Sequence, residues 1–182
     1  IGMGFYDKFS KRGSNNRDLQ EDPATPADTD ALSAKTPGID PPANALRLNT
    51  APDGALLLPS VFRDAQGEAR FTLPIPKHFL GDLAIKHLIE REARHGGFEY
   101  PTRAFFDAHL EPGDVFIDVG AHWGMLSLSA ATRHRGEISV LAIEADPATV
   151  TQLLRGIAHN GLTGDIETVA AAAGDKPGTA PL

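Results

Sequence analysis

An acid and two glycines stand together in "VFIDVGAHWGMLSLSAA", Val115 to Ala131: Asp118, then Gly120 two residues later, then Gly124. A glycine directly after a strand lets the backbone turn without a Cβ clash and lets a ligand approach the main chain. Gly124 opens the helical pattern that follows. Glu144 ends the next apolar run, "ISVLAIEA". An acid there, at the end of a neighbouring strand, is placed to accept both hydroxyls of a ribose. A dinucleotide-binding turn reads G-x-G-x-x-G, whereas "DVGAHWG" sets bulky His122 and Trp123 where a pyrophosphate needs open amides. The spacing points to a nucleoside ligand without phosphate.

These positions need elements to hold them. "VFIDV" is a continuous apolar run broken only by its acid, which suits a strand covered on both faces in a parallel sheet. "MLSLSAATRH" follows as a helix and "ISVLAIEA" as a second strand. "DPATVTQLLRGIAHNGL" is a helix with Asp146 at its N-cap and Pro147 at its first position, and "IETVAAAA" is a third strand. Strands alternating with helices of this length imply right-handed βαβ units, hence an α/β fold with a parallel sheet. Ahead of them, "PTRAFFDAHL" is a short helix opened by Pro101. "HFLGDLAIKHLIEREARHGG" carries Phe79, Leu80, Leu83, Ile85, Leu88 and Ile89 near helical spacing and is stopped by Gly96 and Gly97. "ALLLPSVF" and "EARFTLPI" are two short strands, which Pro59, Pro74 and Pro76 place at edges or ends. Residues 1–54 are dominated by Ser, Asn, Asp, Pro, Ala and Thr without a sustained period, and are expected to be a disordered or linker segment. The expected organisation is 1–54 linker, 55–98 β element and helix, and 99–182 the ligand-binding domain.

Composition narrows the function classes. Of 182 residues, 17 are basic and 24 acidic, for a net charge of -7, so the chain offers no electrostatic footprint for a phosphate backbone and a nucleic-acid partner is disfavoured. There is no cysteine, which excludes disulfides, thiolate metal sites and cysteine nucleophiles within this sequence. No apolar run reaches the roughly 18–20 residues that span a bilayer, and the first twenty residues lack the apolar core of a secretory signal. We expect a soluble, cytoplasmic protein. The histidines show no metal-ligand spacing, and no metal is expected.

From Glu99 to Leu182 the sequence resembles the FkbM-like family of class I S-adenosylmethionine-dependent methyltransferases. Three blocks in order carry the resemblance: "EPGDVFIDVGAHWGMLSLSAA", "AIEADPATVTQLLRGIAHNGL" and "VAAAAGDKPG". It implies a Rossmann-like methyltransferase fold, here the N-terminal half of the catalytic domain, truncated after the third strand. It also implies S-adenosyl-L-methionine as cofactor, with Asp118, Gly120 and Ala121 holding its methionine portion. Gly124 would open the adjoining helix, and Glu144 would take the ribose hydroxyls. Ala172 to Asp175 would face the adenine, with Ala145 and Asp146 lining its other side. His122 and Trp123 stand where such sequences usually carry Asn and a smaller aliphatic residue. The activity implied is O-methylation of a hydroxyl on a sugar, polysaccharide or polyketide-type acceptor, a small molecule or a glycan.

Two other readings stay open at this point. Glu144 would serve the ribose of an NAD(P)-dependent oxidoreductase equally well, and a non-catalytic fragment could keep the cofactor half alone. In the methyltransferase sheet "VFIDV" is central, with one neighbour expected after Leu182. The isolated 182-residue chain is therefore expected to be inactive and to self-associate through that strand.

Overall fold

The computed structural model describes residues 48–64, 67–94 and 97–179. The expected linker over residues 1–54 therefore lies outside the described residues up to position 47, as does Gly96. The first described elements are three antiparallel strands: β1 (Asn49–Thr50), β2 (Leu56–Asp64) and β3 (Gly67–Ile75), in the order β1-β2-β3. β2 and β3 pair along their whole length, from Leu56 opposite Ile75 to Asp64 opposite Gly67. They are longer than the two short strands expected, and Pro59 and Pro74 lie inside them.

Pairing explains why Pro59 is tolerated. It sits opposite Thr72. Thr72 turns both main-chain groups away from β2: its N–H donates to Asn160 Oδ1 and its carbonyl accepts from Asn160 Nδ2, each at 2.8 Å. Pro59 therefore occupies a non-hydrogen-bonded pair, where the missing N–H is not needed by β3. β1 pairs only with Leu56 and Leu57, so among the described residues no strand on the other side of β2 needs that N–H either.

A short 3₁₀ turn, Lys77–Phe79, leads to α1 (Leu83–Arg94) and α2 (Tyr100–His109). Phe79 and Leu80 thus precede α1 instead of belonging to it. The separation is local: the Asp82 carboxylate accepts from the Ala84 N–H and starts the helix there. Pro101 stands in the first turn of α2, as expected.

The remaining elements alternate: β4 (Val115–Val119), α3 (Met125–Arg133), β5 (Ser139–Glu144), α4 (Pro147–His159) and β6 (Ile166–Ala170). The three strands form a parallel sheet in the order β4-β5-β6, with Phe116 opposite Val140 and Val140 opposite Ile166. Asp146 caps α4, accepting from the Thr149 N–H at 2.7 Å, and Pro147 follows it, as the sequence implied. Helices α3 and α4 both pack against β3 as well as the parallel sheet. Leu58, Phe71, Leu73 and Ile75 from the antiparallel strands share one apolar core with Phe116, Leu128, Val140, Leu153 and Ile166.

One expectation needs correcting. β4 is not covered on both faces: Phe116 and Asp118 are buried under α3, whereas Val115, Ile117 and Val119 are 41%, 55% and 61% exposed. Because both crossover helices pack with β3, they lie on one face, and no described element covers the other. β4 is also a border strand, with β5 as its only partner among the described residues. A bare Val/Ile face beside an unpaired edge recruits other chains. The 182-residue polypeptide should self-associate with rising concentration in light scattering, and Ile117→Lys should suppress this. A monomeric wild type at all concentrations would refute the expectation.

Candidate functional site

The turn after β4 is built from conformations that few residues accept. Gly120, His122 and Gly124 have φ of 79°, 50° and 83°. The end of β5 holds this path in place. The N–H groups of Gly120 and Ala121 both donate to the Ile143 carbonyl, at 2.9 and 3.0 Å. The next N–H, that of His122, donates to Glu144 Oε2 at 2.8 Å. Glu144 Oε1 accepts from the N–H groups of Ala145 and Asp146, each at 2.9 Å.

One carboxylate therefore binds the turn after β4 to the loop after β5. Partial burial alone would raise the Glu144 pKa, but the N–H groups of Asp146, His122 and Ala145 together outweigh it and hold the carboxyl below its ordinary value of 4.5. Glu144 is ionised at neutral pH. Oε2 has a single main-chain donor and keeps acceptor capacity for a ligand.

Asp118 faces the other way. Its Oδ2 accepts from the Ser127 N–H at 3.2 Å and from the Ser127 hydroxyl at 2.6 Å, both buried. Ser127 is the third residue of α3, and the N-cap, Gly124, has no side chain to offer. Asp118 thus caps α3 from the strand below it. The spacing of Asp118 and Gly124 was visible in the sequence; Ser127 as the partner was not.

The two glycines have different surroundings. A Cβ built on Gly120 meets nothing within 4 Å, so this side of the turn is open to a ligand. A Cβ on Gly124 would collide with the Leu153 side chain of α4. Gly124 is where α3 and α4 come together. Trp123 is buried and packs edge-on against Phe79, with ring centroids 5.1 Å apart.

Among the expected site residues, the fold brings Asp118, Gly120, Ala121, Glu144 and Ala145 to one end of the parallel sheet, with Asp146 beside them. Asp175 stands exposed in the irregular segment after β6, and no hydrogen bond or ion pair ties it to the others. Arg103, which fastens α3 from behind, was not among the expected site residues. Its guanidinium donates to Ser129 Oγ at 2.9 Å and Ser60 Oγ at 3.0 Å, and lies 3.5 Å from Glu92. It also sits over the Phe62 ring, 5.0 Å from the centroid.

No family model matches this chain, and no curated protein does. Several solved structures are similar to it. TYW2 of Pyrococcus horikoshii, in complex with MeSAdo, is 21% identical, with 69% of this chain and 39% of that one covered and a TM-score of 0.43. A transferase from Pyrococcus horikoshii is 18% identical, with 66% and 37% covered and a TM-score of 0.43. A precorrin-6y C5,15-methyltransferase from Geobacter metallireducens is 19% identical, with 40% and 38% covered and a TM-score of 0.35. This chain thus spans less than two fifths of the length of each of these structures.

The glycine geometry sets a test. Gly120→Ala adds only the cost of a left-handed alanine, about 1–2 kcal/mol, whereas Gly124→Ala adds a steric collision to it. Thermal unfolding should show Gly124→Ala as clearly the less stable of the two, and equal losses would contradict the packing. The Glu144 clamp sets another. Its folded-state pKa is depressed, so its contribution is fully present above the ordinary carboxylate value and is lost as pH falls through the depressed one. Exchange protection of the His122 amide should hold from neutral pH to about 4.5 and decline only below it, relative to the intrinsic exchange rate at each pH.

Proposed function

We propose that this chain is the cofactor-binding part of a class I S-adenosylmethionine-dependent methyltransferase, acting in the cytoplasm. The observation that supports this reading most is the allocation of amides after β4. Gly120, Ala121 and His122, in succession, all donate to the end of β5, so none of the three is free to cradle a pyrophosphate. The same turn leaves open space at Gly120 and sets an ionised carboxylate at the next strand end. A ligand with a ribose and no phosphate fits this combination, and a dinucleotide does not.

In this reading Glu144 Oε2 accepts from the ribose hydroxyls, and Asp118, Gly120 and Ala121 form the floor under the methionine portion. Asp118 would do so indirectly, by holding the first turn of α3 at a fixed distance from the strand end. Ala145 and Asp146 line one side of the adenine position and Ala172 to Asp175 the other. S-adenosylmethionine, when bound, supplies a methyl group already activated by its sulfonium. The residues of this chain then have a positioning task. The FkbM-like resemblance suggests a hydroxyl on a sugar, polysaccharide or polyketide as the acceptor.

Calorimetric titration tests the reading. S-adenosylhomocysteine should bind and NAD should not. Glu144→Ala should weaken binding by about 1.5–3 kcal/mol, the range for a hydrogen bond to a charged group. Binding of NAD in place of S-adenosylhomocysteine would refute the proposal, and unchanged affinity in Glu144→Ala would remove that residue from the site.

A further inference from the structure

His122 occupies a position that a side chain rarely takes without cause. Its φ is 50°, a left-handed conformation, and its N–H is fixed to Glu144 Oε2. The imidazole is exposed, yet it has a platform. It lies nearly parallel to the Trp123 ring, at 13° and 5.9 Å between centroids. Trp123 is itself only 4% exposed and locked edge-on by Phe79. The ring therefore lies against a buried neighbour, on the residue whose main chain is tied to Glu144.

The charged groups around it are few among the described residues. Glu144 comes from the end of β5 and Asp146 from the cap of α4; Asp118 lies beneath the turn, bonded to Ser127. The His78 ring lies tilted against Phe79, centroids 4.3 Å apart, on the 3₁₀ turn that packs against Trp123. Positive charge on His122 acts on both nearby carboxylates. The Glu144 carboxyl is lowered mainly by main-chain N–H groups that outweigh burial and the Asp146 carboxyl mainly by Thr149, and in both the charge of His122 adds to the lowering.

We propose that His122 is a specificity-determining residue that reads the charge of the bound nucleoside: when protonated, it disfavours cationic S-adenosylmethionine relative to the net-neutral product S-adenosylhomocysteine. The inference rests on the function proposed above. If Glu144 holds the ribose, the ligand's sulfur, attached at the ribose 5′ carbon, lies only a few bonds from the clamp to which the His122 main chain is tied. The two ligands are otherwise alike except for the methyl group, so interactions common to both cancel in the ratio of their affinities.

Both ligands are titrated into the chain at about pH 7.0 and about pH 5.5, where the ligands' α-amino groups stay largely protonated. The ratio of the S-adenosylmethionine Kd to the S-adenosylhomocysteine Kd should rise on the order of two- to five-fold at the lower pH, as expected for two unit charges several ångströms apart in a water-rich setting. In His122→Asn the ratio should stay flat; Asn accepts a left-handed φ, so the turn is kept. A flat ratio in the wild type, or the same rise in His122→Asn, overturns the inference and leaves the proposed function standing. Failure of both ligands to bind at either pH overturns the proposed function and the inference with it.

Discussion

The Glu144 carboxylate, accepting three main-chain N–H groups from two segments, is the bond on which the rest of the site depends. The turn after β4 holds a non-glycine residue in a left-handed conformation, a cost of roughly 1–2 kcal/mol. A hydrogen bond from that residue's N–H to a carboxylate, worth about 1.5–3 kcal/mol, offsets this. The offset exists only if β5 ends level with β4. The parallel register provides this by setting Val119 opposite Ile143, so that Ile143 and Glu144 reach the turn together. Strand pairing, turn shape and the position of the acid are thus a single arrangement.

The helix above the turn is held from three directions. Asp118 binds Ser127 from the strand below, Arg103 binds Ser129 from α2, and Gly124 admits Leu153 from α4. Burying a guanidinium is costly unless it is paired, and Arg103 is paired with Glu92 and two hydroxyls while lying over an aromatic ring. Both side chains of the pair are almost wholly buried, and this desolvation pushes the Glu92 carboxyl above its ordinary value. The antiparallel strands have a direct part in this. Ser60 of β2 is a partner of Arg103, and β3 forms the floor of α3 and α4, with the Asn160 side chain pairing both main-chain groups of Thr72.

What the sequence made legible was local. "VFIDV" became a strand over Val115–Val119, and Asp146 with Pro147 opened α4, because turn glycines, caps and apolar runs act within a few residues. Asn160, Arg103 and Ser127 were not legible. Each is a polar residue whose partner lies far along the chain or on another element, and polarity alone reads as surface. Pro59 misled for a related reason: its acceptability inside β2 depends on the orientation of Thr72, which only pairing sets. The apolar run of β4 implied cover on both faces, but apolarity records what a strand needs, not which described element supplies it.

This one-sided sheet bears on how the site discriminates. β5 and α4 build one wall beyond Gly120, while Val119, at the border of the sheet, leaves the other side open among the described residues. Apolar burial yields about 25 cal/mol per Å² only where surface is withdrawn from water, so a half-open site gains little from enclosing a flat base. Directional and charged groups then decide what is held. Those available at this end of the sheet are Glu144 and Asp146, both ionised, with the His122 ring on its Trp123 support. Hydroxyl pairs and net charge are the ligand features such a group set can recognise, and a base could contribute only after a second wall closes over it. Under the proposed function, selectivity in this part of the fold would reside in the electrostatics of two strand ends and not in the shape of a pocket.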